Sequence, residues 1–242
     1  MSRFLSATTY SHYSIFVMAA LPPERGGRER RKKVGDYELT TKIGQGTFAK
    51  VYIGEKDGTI FAIKVISREK FPDLVGGQGL TNEIDLMKAY EHENIVNLHD
   101  HFFANKQVYL VLEFCSGGDL SGLIRSNGKL DERTSVQFLF QLSKGLSFLG
   151  DRGVIHRDLK PANILLSDNS SNPLLKIADF GFARHLQATS MASTACGTPL
   201  YMAPEIISLQ QYVIVSGLID IFSCCQALVV HYKALILLYH SL

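Results

Sequence analysis

Cysteine patterns that could organise a fold are missing from this sequence. Only four cysteines occur in 242 residues, Cys115, Cys196, Cys224 and Cys225, with no CxxC pair and no spaced ladder. That excludes a disulfide framework or a cysteine-built zinc site as the organising device, and a reduced, intracellular protein is the simplest reading. A strong excess of either charge is missing too. The formal net charge is +2 with 20% charged residues, so bulk electrostatics favours neither nucleic acid nor membrane, and any partner must be engaged locally. Internal repeats and long low-complexity tracts are absent, which excludes a solenoid or array. The first 23 residues hold no acidic residue and are rich in Ser, Thr and Tyr. Positions 14–21 are mildly apolar but short and without a small-x-small cleavage signal, so a disordered extension is the preferred reading, with a targeting peptide as the alternative. Met18 could serve as an internal start. Arg28, Arg30, Arg31, Lys32 and Lys33 follow Pro22-Pro23 and Gly26-Gly27, and read as a solvated linker, with an anionic-lipid or nuclear-import patch as the alternative. Residues 1–33 are therefore set apart from the rest of the chain.

What is present is ample material for a folded core, at 46% hydrophobic residues. From Val34 onward short apolar runs are broken by Gly, Asp and Asn. Segments 37–43, 50–55 and 59–66 read as strands, with Gly44-Gln45-Gly46 and Asp57-Gly58 as turns. Leu80, Ile84 and Met87 give 80–90 a helical period, and 96–103 and 107–114 read as two more strands. Five strands and one helix make a compact first lobe over 34–115. A short helix is expected over 119–125 and a longer one over 131–151, placing Val136, Leu139, Phe140, Leu142, Leu146 and Leu149 on a broad apolar face. Residues 153–204 read as loop-rich, and most of the candidate chemistry lies there.

Ile43-Gly44-Gln45-Gly46-Thr47-Phe48-Ala49-Lys50-Val51 is a Gly-rich strand–turn–strand. Glycines let backbone N–H groups close over phosphates because no Cβ blocks the approach, although a plain hairpin fits this stretch alone equally well. Phe61-Ala62-Ile63-Lys64 puts a lysine on a strand otherwise facing the core. A buried ammonium requires an anion, and Glu83 on the expected helix is a suitable partner; an edge-strand lysine in water is the other reading. His156-Arg157-Asp158-Leu159-Lys160-Pro161-Ala162-Asn163 is far more specific. Its carboxylate, ammonium and amide are spaced to orient a hydroxyl, steady a phosphoryl group and hold a metal. Asp179-Phe180-Gly181 supplies a second metal-binding oxygen group, and a sparse Asn/Asp pair suits Mg²⁺, which takes few protein oxygens beside nucleotide phosphates. His99-x-His101 shares a strand face but has no third ligand nearby, so two surface histidines are expected there and no metal.

In this order the motifs resemble those of eukaryotic protein kinases over about 37–212. The resemblance implies a bilobal α+β fold, a complete five-stranded first lobe with one helix, and a truncated, mainly helical second lobe over 116–211. It implies that Lys64 contacts the α- and β-phosphates of ATP and pairs with Glu83. Asp158 would be the catalytic base, Lys160 the γ-phosphate contact, and Asn163 with Asp179 the Mg²⁺ ligands. The nucleotide would lie against residues 43–51 together with Ala62, Lys64 and Leu165. Leu112 matches the gatekeeper, the backbone of Glu113 and Cys115 would read adenine, and Asp119 would contact the ribose. Lys160 is the choice of Ser/Thr-specific members. Thr194 aligns with the activation-loop phosphosite, where a phosphate would pair with Arg157, and Thr198 with the substrate-side residue near the catalytic Asp.

Three further stretches resemble the autophagy-initiating Unc-like kinases: His92-Glu93-Asn94-Ile95-Val96, residues 113–120, and Lys176-Ile177-Ala178-Asp179-Phe180-Gly181-Phe182-Ala183-Arg184. Phe182 after Asp-Phe-Gly is the discriminating residue. The implied partners are proteins bearing Ser or Thr and autophagy regulatory proteins, with no nucleic acid; the implied setting is cytoplasmic, peripheral to autophagic membranes. After Tyr212 the motif pattern stops. The family's next helix carries Asp-x-Trp-Ser-x-Gly, and this chain has no tryptophan. Glu205 would pair with a late arginine, and no arginine follows Arg184. Residues 212–242 are apolar, with Asp220 and Lys233 the only charges. They read as a truncated or alternatively spliced end, an improvised helix on the second lobe, or a membrane span over 221–239. The expected function is accordingly an ATP-dependent Ser/Thr kinase, with a catalytically impaired nucleotide- or partner-binding fragment as the alternative.

Overall fold

The structure is a computed structural model that describes residues 31–46, 49–67, 84, 87–156, 158–179 and 184–185. A six-stranded antiparallel sheet forms the first lobe: β1 (Lys32–Val34), β2 (Tyr37–Gln45), β3 (Ala49–Lys56), β4 (Thr59–Ser67), β5 (Leu98–Ala104) and β6 (Gln107–Glu113), in the order β1-β2-β3-β4-β6-β5. The turns explain the connectivity. Asp57 (φ 51°) and Gly58 (φ 77°) join β3 to β4, and Asn105 (φ 49°) and Lys106 (φ 58°) join β5 to β6. Two consecutive left-handed residues match the right-handed twist of the flanking strands. The first of these turns was legible as Asp-Gly; the second has no glycine to announce it.

Strand β1 corrects the expected five strands and the extent of the N-terminal extension. Lys32 and Lys33 pair with Leu39 and Glu38. The chain reverses at Gly35 (φ 59°), and Val34 closes over a buried cluster with Tyr37, Leu39, Ile63, Val65, Tyr109 and Val111. Burial of Val34 holds the strand, while its two exposed lysines mark it as an edge that resists pairing with other chains. On the same face Tyr37 stacks on Phe102 and Phe102 on Tyr109, with centroids 5.7 and 4.8 Å apart.

Period-two alternation puts Ala62, Lys64 and Ile66 on the opposite face from Ile63 and Val65. Ala62 pairs with Leu112 and Ile53, and Lys64 with Val51 and Leu110. Within the expected helix over 80–90, the described residues Ile84, Met87 and Lys88 are helical, while Ala89 is in a turn and Tyr90 follows it.

The second lobe is built on α1 (Leu120–Asn127) and α2 (Glu132–Gly150), capped at their N-termini by Asp119 and Asp131. Helix α2 buries Phe138, Leu139, Leu142, Gly145 and Leu149. A Cβ on Gly145 would lie 2.8 Å from Ile177 Cδ1 and 3.1 Å from the Asn94 carbonyl, so a missing side chain admits two other segments to the helix surface. Val136 and Phe140 do not belong to this face, contrary to expectation: they are 45% and 57% exposed. The buried stripe runs through 135, 138, 139, 142, 145 and 149, and these two side chains fall beside it. Lys144 lies over the Phe140 ring at 5.0 Å.

The stretch expected as loop carries short strands that position the site: β7 (Val154–Ile155), β8 (Ile164–Leu166), β9 (Leu175–Ile177) and β10 (Arg184–His185), with a 3₁₀ turn at Pro161–Asn163. Strand β8 pairs with β9, and β7 with β10. Their brevity left no periodic signal to read. The chain segment 94–96 lies along β9: Ile177 N–H donates to Asn94 O at 2.8 Å, and Val96 N–H to Ile177 O at 2.9 Å.

Candidate active site

One apolar wall comes from the six-stranded sheet and the β8–β9 sheet. Ile43, Ala49, Val51, Ile53 and Ala62 cluster with Leu112 against them. Leu112 also packs on Val96, Cys115, Leu165 and Ala178. The structure thus brings the sequence-selected residues Ile43, Val51, Ala62, Leu112, Cys115 and Leu165 into one apolar neighbourhood. Cys115 is 3% exposed and burial pushes its thiol up to about 12; it is a neutral packing group there and no nucleophile. Gly44, Gln45 and Gly46 continue β2 toward the turn, where Gly46 N–H donates to Ala49 O at 2.9 Å. Gln45 is held by Lys42 at 2.7 Å, and Lys50 is exposed. Thr47 and Phe48 lie outside the described residues.

The connection after β6 follows a narrow path. Ser116 and Gly117 donate their N–H groups to Ser167 O and Leu166 O at 3.1 and 3.0 Å, and Leu166 N–H returns a bond to Gly118 O at 2.9 Å. A Cβ on Gly117 would collide with the Asp168 carbonyl oxygen, so only glycine lets the connection run this close to the turn after β8. Glu113 N–H donates to Asn97 O at 2.9 Å. Asp119, expected as a ribose contact, is 4% exposed and accepts the Gly122 N–H at 2.8 Å. Burial pushes its carboxyl up, against the lowering influence of that bond and of Arg125. Its capping role was not legible in the motif.

Residues 156–163 fold into a buried polar cluster. Asp158 N–H donates to His156 Nδ1 at 3.3 Å, which makes Nδ1 the acceptor and assigns the proton to Nε2, 2.8 Å from the Ala178 carbonyl. Full burial holds the His156 pKa below its ordinary value, against the raising effects of Ala178 O and of Asp158 and Asp179. Lys160 Nζ sits 2.9 Å from Asp158 Oδ2. Asn163 Nδ2 donates to that same oxygen at 3.0 Å and to the Asp158 carbonyl at 2.7 Å. Pro161 opens the 3₁₀ turn that returns Asn163 to Asp158, its ring fixing φ where no N–H is needed.

Asp179 reaches this cluster from the end of β9. Its backbone is left-handed, φ 65°, a conformation costing a non-glycine residue about 1–2 kcal/mol. Its Oδ1 lies 2.6 Å from Lys64 Nζ, both side chains being nearly buried. Sequence reasoning paired Lys64 with Glu83. Glu83 lies outside the described residues, and among those described the partner is Asp179. Arg157, Thr194, Thr198 and the 212–242 tail with its span at 221–239 also lie outside them.

Two ammonium groups and two carboxylates thus converge from β4, β9 and the loop between β7 and β8. Asn163 Oδ1 is buried without a hydrogen-bond partner. An orphaned neutral oxygen is costly unless something fills its lone pairs, and an amide oxygen beside a carboxylate is a hard donor set of the kind Mg²⁺ accepts. The residues present fit that ion. Among the described residues no three of His, Cys, Asp and Glu cluster as a metal site, and His99 meets the Phe61 ring edge-on instead. One functional-looking contact escaped the sequence: Lys176 on β9 lies 2.7 Å from Glu113 Oε1. Its only signal was a lysine in a strand otherwise bound for the core.

The family model for the protein kinase domain matches residues 37–238, past Tyr212, where the motif resemblance ends. Serine/threonine-protein kinase ATG1a of Arabidopsis thaliana is 45% identical over 186 residues, covering 76% of this chain and 30% of that protein. Serine/threonine-protein kinase atg1 of Dictyostelium discoideum is 44% identical over 194 residues, 77% of this chain and 29% of the relative. Serine/threonine-protein kinase ULK1 of Homo sapiens is 43% identical over 215 residues, 84% and 20% respectively. The chain therefore spans less than a third of the length of these relatives.

Proposed function

Because the chain belongs to the protein kinase domain family, we propose that it transfers the γ-phosphate of ATP to Ser or Thr hydroxyls of proteins. The observation that carries this reading is the buried Asp158–Lys160–Asn163 cluster with its unpartnered amide oxygen. Asn163 and Asp179 would hold Mg²⁺, which when bound supplies charge neutralisation to the transferring phosphoryl oxygens. Asp158 orients the substrate hydroxyl and takes its proton. Lys160 steadies the negative charge on the group in transit, and Lys64, between Ala62 and Ile66 on one face of its strand, receives the inner phosphates. His156 keeps the loop in register by joining Asp158 N–H to Ala178 O. The similarity to ATG1 and ULK1 supports a role in initiating autophagy, with regulatory proteins as partners and a cytoplasmic setting at the surface of autophagic membranes. Thr194 would be the switch phosphosite and Thr198 a substrate-side contact.

A second reading, a nucleotide- or partner-binding module without turnover, is favoured by one sequence observation: the sequence has no tryptophan where the family's bracing helix carries one. One experiment separates the two. The 242-residue protein and its Asp158→Asn variant are assayed for Mg-ATP binding and for phosphate transfer to protein substrates. The kinase reading expects turnover that falls about 10²–10⁴-fold in the variant while ATP binding persists. ATP binding without turnover in the wild type supports the module, and absence of both sinks each reading.

A further inference from the structure

Three segments far apart in sequence meet at Glu113. Its N–H donates to Asn97 O at 2.9 Å; its Oε2 accepts the Asn97 N–H at 3.3 Å. Lys176 Nζ binds both carboxylate oxygens, at 2.7 and 3.0 Å. Lys176 is 6% exposed, far drier than lysine ordinarily tolerates. It stands opposite Leu165 across β8 and β9 and shares a strand face with Ala178, the last residue before Asp179. The flanking residues Leu175 and Ile177 are fully buried on the other face, and Ile177 is tied through its backbone to Asn94 and Val96.

We infer that Lys176 is a positioning residue for nucleotide recognition. Its ion pair with Glu113 locks the backbone that presents the base-reading carbonyl to the strand that ends in the metal-binding Asp179. The inference rests on the kinase reading and adds to it a residue outside the phosphate-contacting set. The physical ground is desolvation. A pair whose ammonium is buried and whose carboxylate is only partly exposed contributes little net stability compared with apolar side chains of the same shape, so its value here lies in geometry. Three bonds fix Glu113 in orientation, and a single aliphatic contact would leave it free to rotate. Asn97, whose side-chain oxygen is buried without a partner, supplies only backbone groups to this junction, so Lys176 is the sole side-chain donor to Glu113 among the described residues.

The test is calorimetric binding of adenosine, which carries no phosphate, and of Mg-ATP. The proteins are the full chain and its Lys176→Met, Lys176→Arg and Glu113→Gln variants, with thermal unfolding recorded for each. The expected result is adenosine affinity about tenfold weaker in Lys176→Met and Glu113→Gln, an equal loss for Mg-ATP, and recovery of most of it in Lys176→Arg. Glu113→Gln keeps the shape and removes only the charge, so it decides the matter if Lys176→Met does not fold. Folded variants that bind adenosine as the wild type does, with only a lower melting temperature, overturn the inference and leave the kinase reading standing. A wild type that binds neither adenosine nor Mg-ATP overturns both.

Discussion

Strands β2 to β6 run seven to nine residues each, whereas β7 to β10 around the catalytic loop run two or three. Among the long strands, the pairs β3–β4 and β5–β6 are joined by hairpin turns, and the sheet packs through Ile, Val, Tyr and Phe. The short ones hold Asp158, Lys160, Asn163, Lys176 and His156 under almost complete exclusion of water. In the first region the core is apolar and tolerant of conservative exchange. In the second, the buried polar groups depend on a few specific partners, so position is specified at the cost of robustness.

Three perturbations test this contrast. The largest is Ile63→Ala. Ile63 is fully buried and its side chain fills the space that a Cβ on Gly54 would take. Truncation should cost about 2–5 kcal/mol, read as a lower denaturant midpoint. A loss under about 1 kcal/mol would show that the sheet is not held by apolar packing as described. The next concerns His156 and pH. Burial depresses its folded pKa below the unfolded value, so its neutral form contributes full stability above the unfolded pKa, about 6.5. As pH falls below that, the unfolded chain binds a proton that the folded one resists, and stability declines by up to about 1.4 kcal/mol per pH unit. Urea unfolding of wild type and His156→Gln between about pH 8 and pH 5, spanning the imidazole range, should show their difference shrinking toward acid; a constant difference would rule out a buried neutral imidazole. The smallest effect belongs to Arg31→Ala. The Arg31–Glu38 pair is 69% and 46% exposed, so its removal should shift stability by less than about 0.5 kcal/mol. A larger loss would mean that β1 depends on charge as well as on Val34.

Much of the site was legible because its chemistry needs particular residue types in fixed order. Gly44, Lys64, Asp158, Lys160, Asn163 and Asp179 were all singled out from the chain; the structure pairs Lys64 with Asp179 and gathers Asp158, Lys160 and Asn163, the two groups being linked through Ala178 N–H and Asn163 O. The long strands were legible too, through alternation and through Asp57-Gly58. The misses have physical causes. Strand β1 is three residues long and carried by one valine, too little for a pattern, and its lysines looked like linker. Val136 and Phe140 fitted a helical stripe drawn too wide. Lys176 was invisible as a functional residue because a lysine in a strand signals exposure unless its anion is known, and that anion lies 63 residues away. Asp119 was read for what its side chain could touch, whereas a capping bond to Gly122 occupies one of its oxygens.

The Lys64–Asp179 contact joins residues 115 positions apart, against 20 for Lys56 and Asp36. Closing the longer loop costs about 1.5 kcal/mol more chain entropy, and only a scaffold already folded on both sides can meet that cost. Hairpins such as β3–β4 close in about 1–10 μs without help from the rest of the chain. The contact at the site therefore links parts of the chain far more distant in sequence than any hairpin does, and its two charges meet only where strand β4 and the end of β9 are both in place.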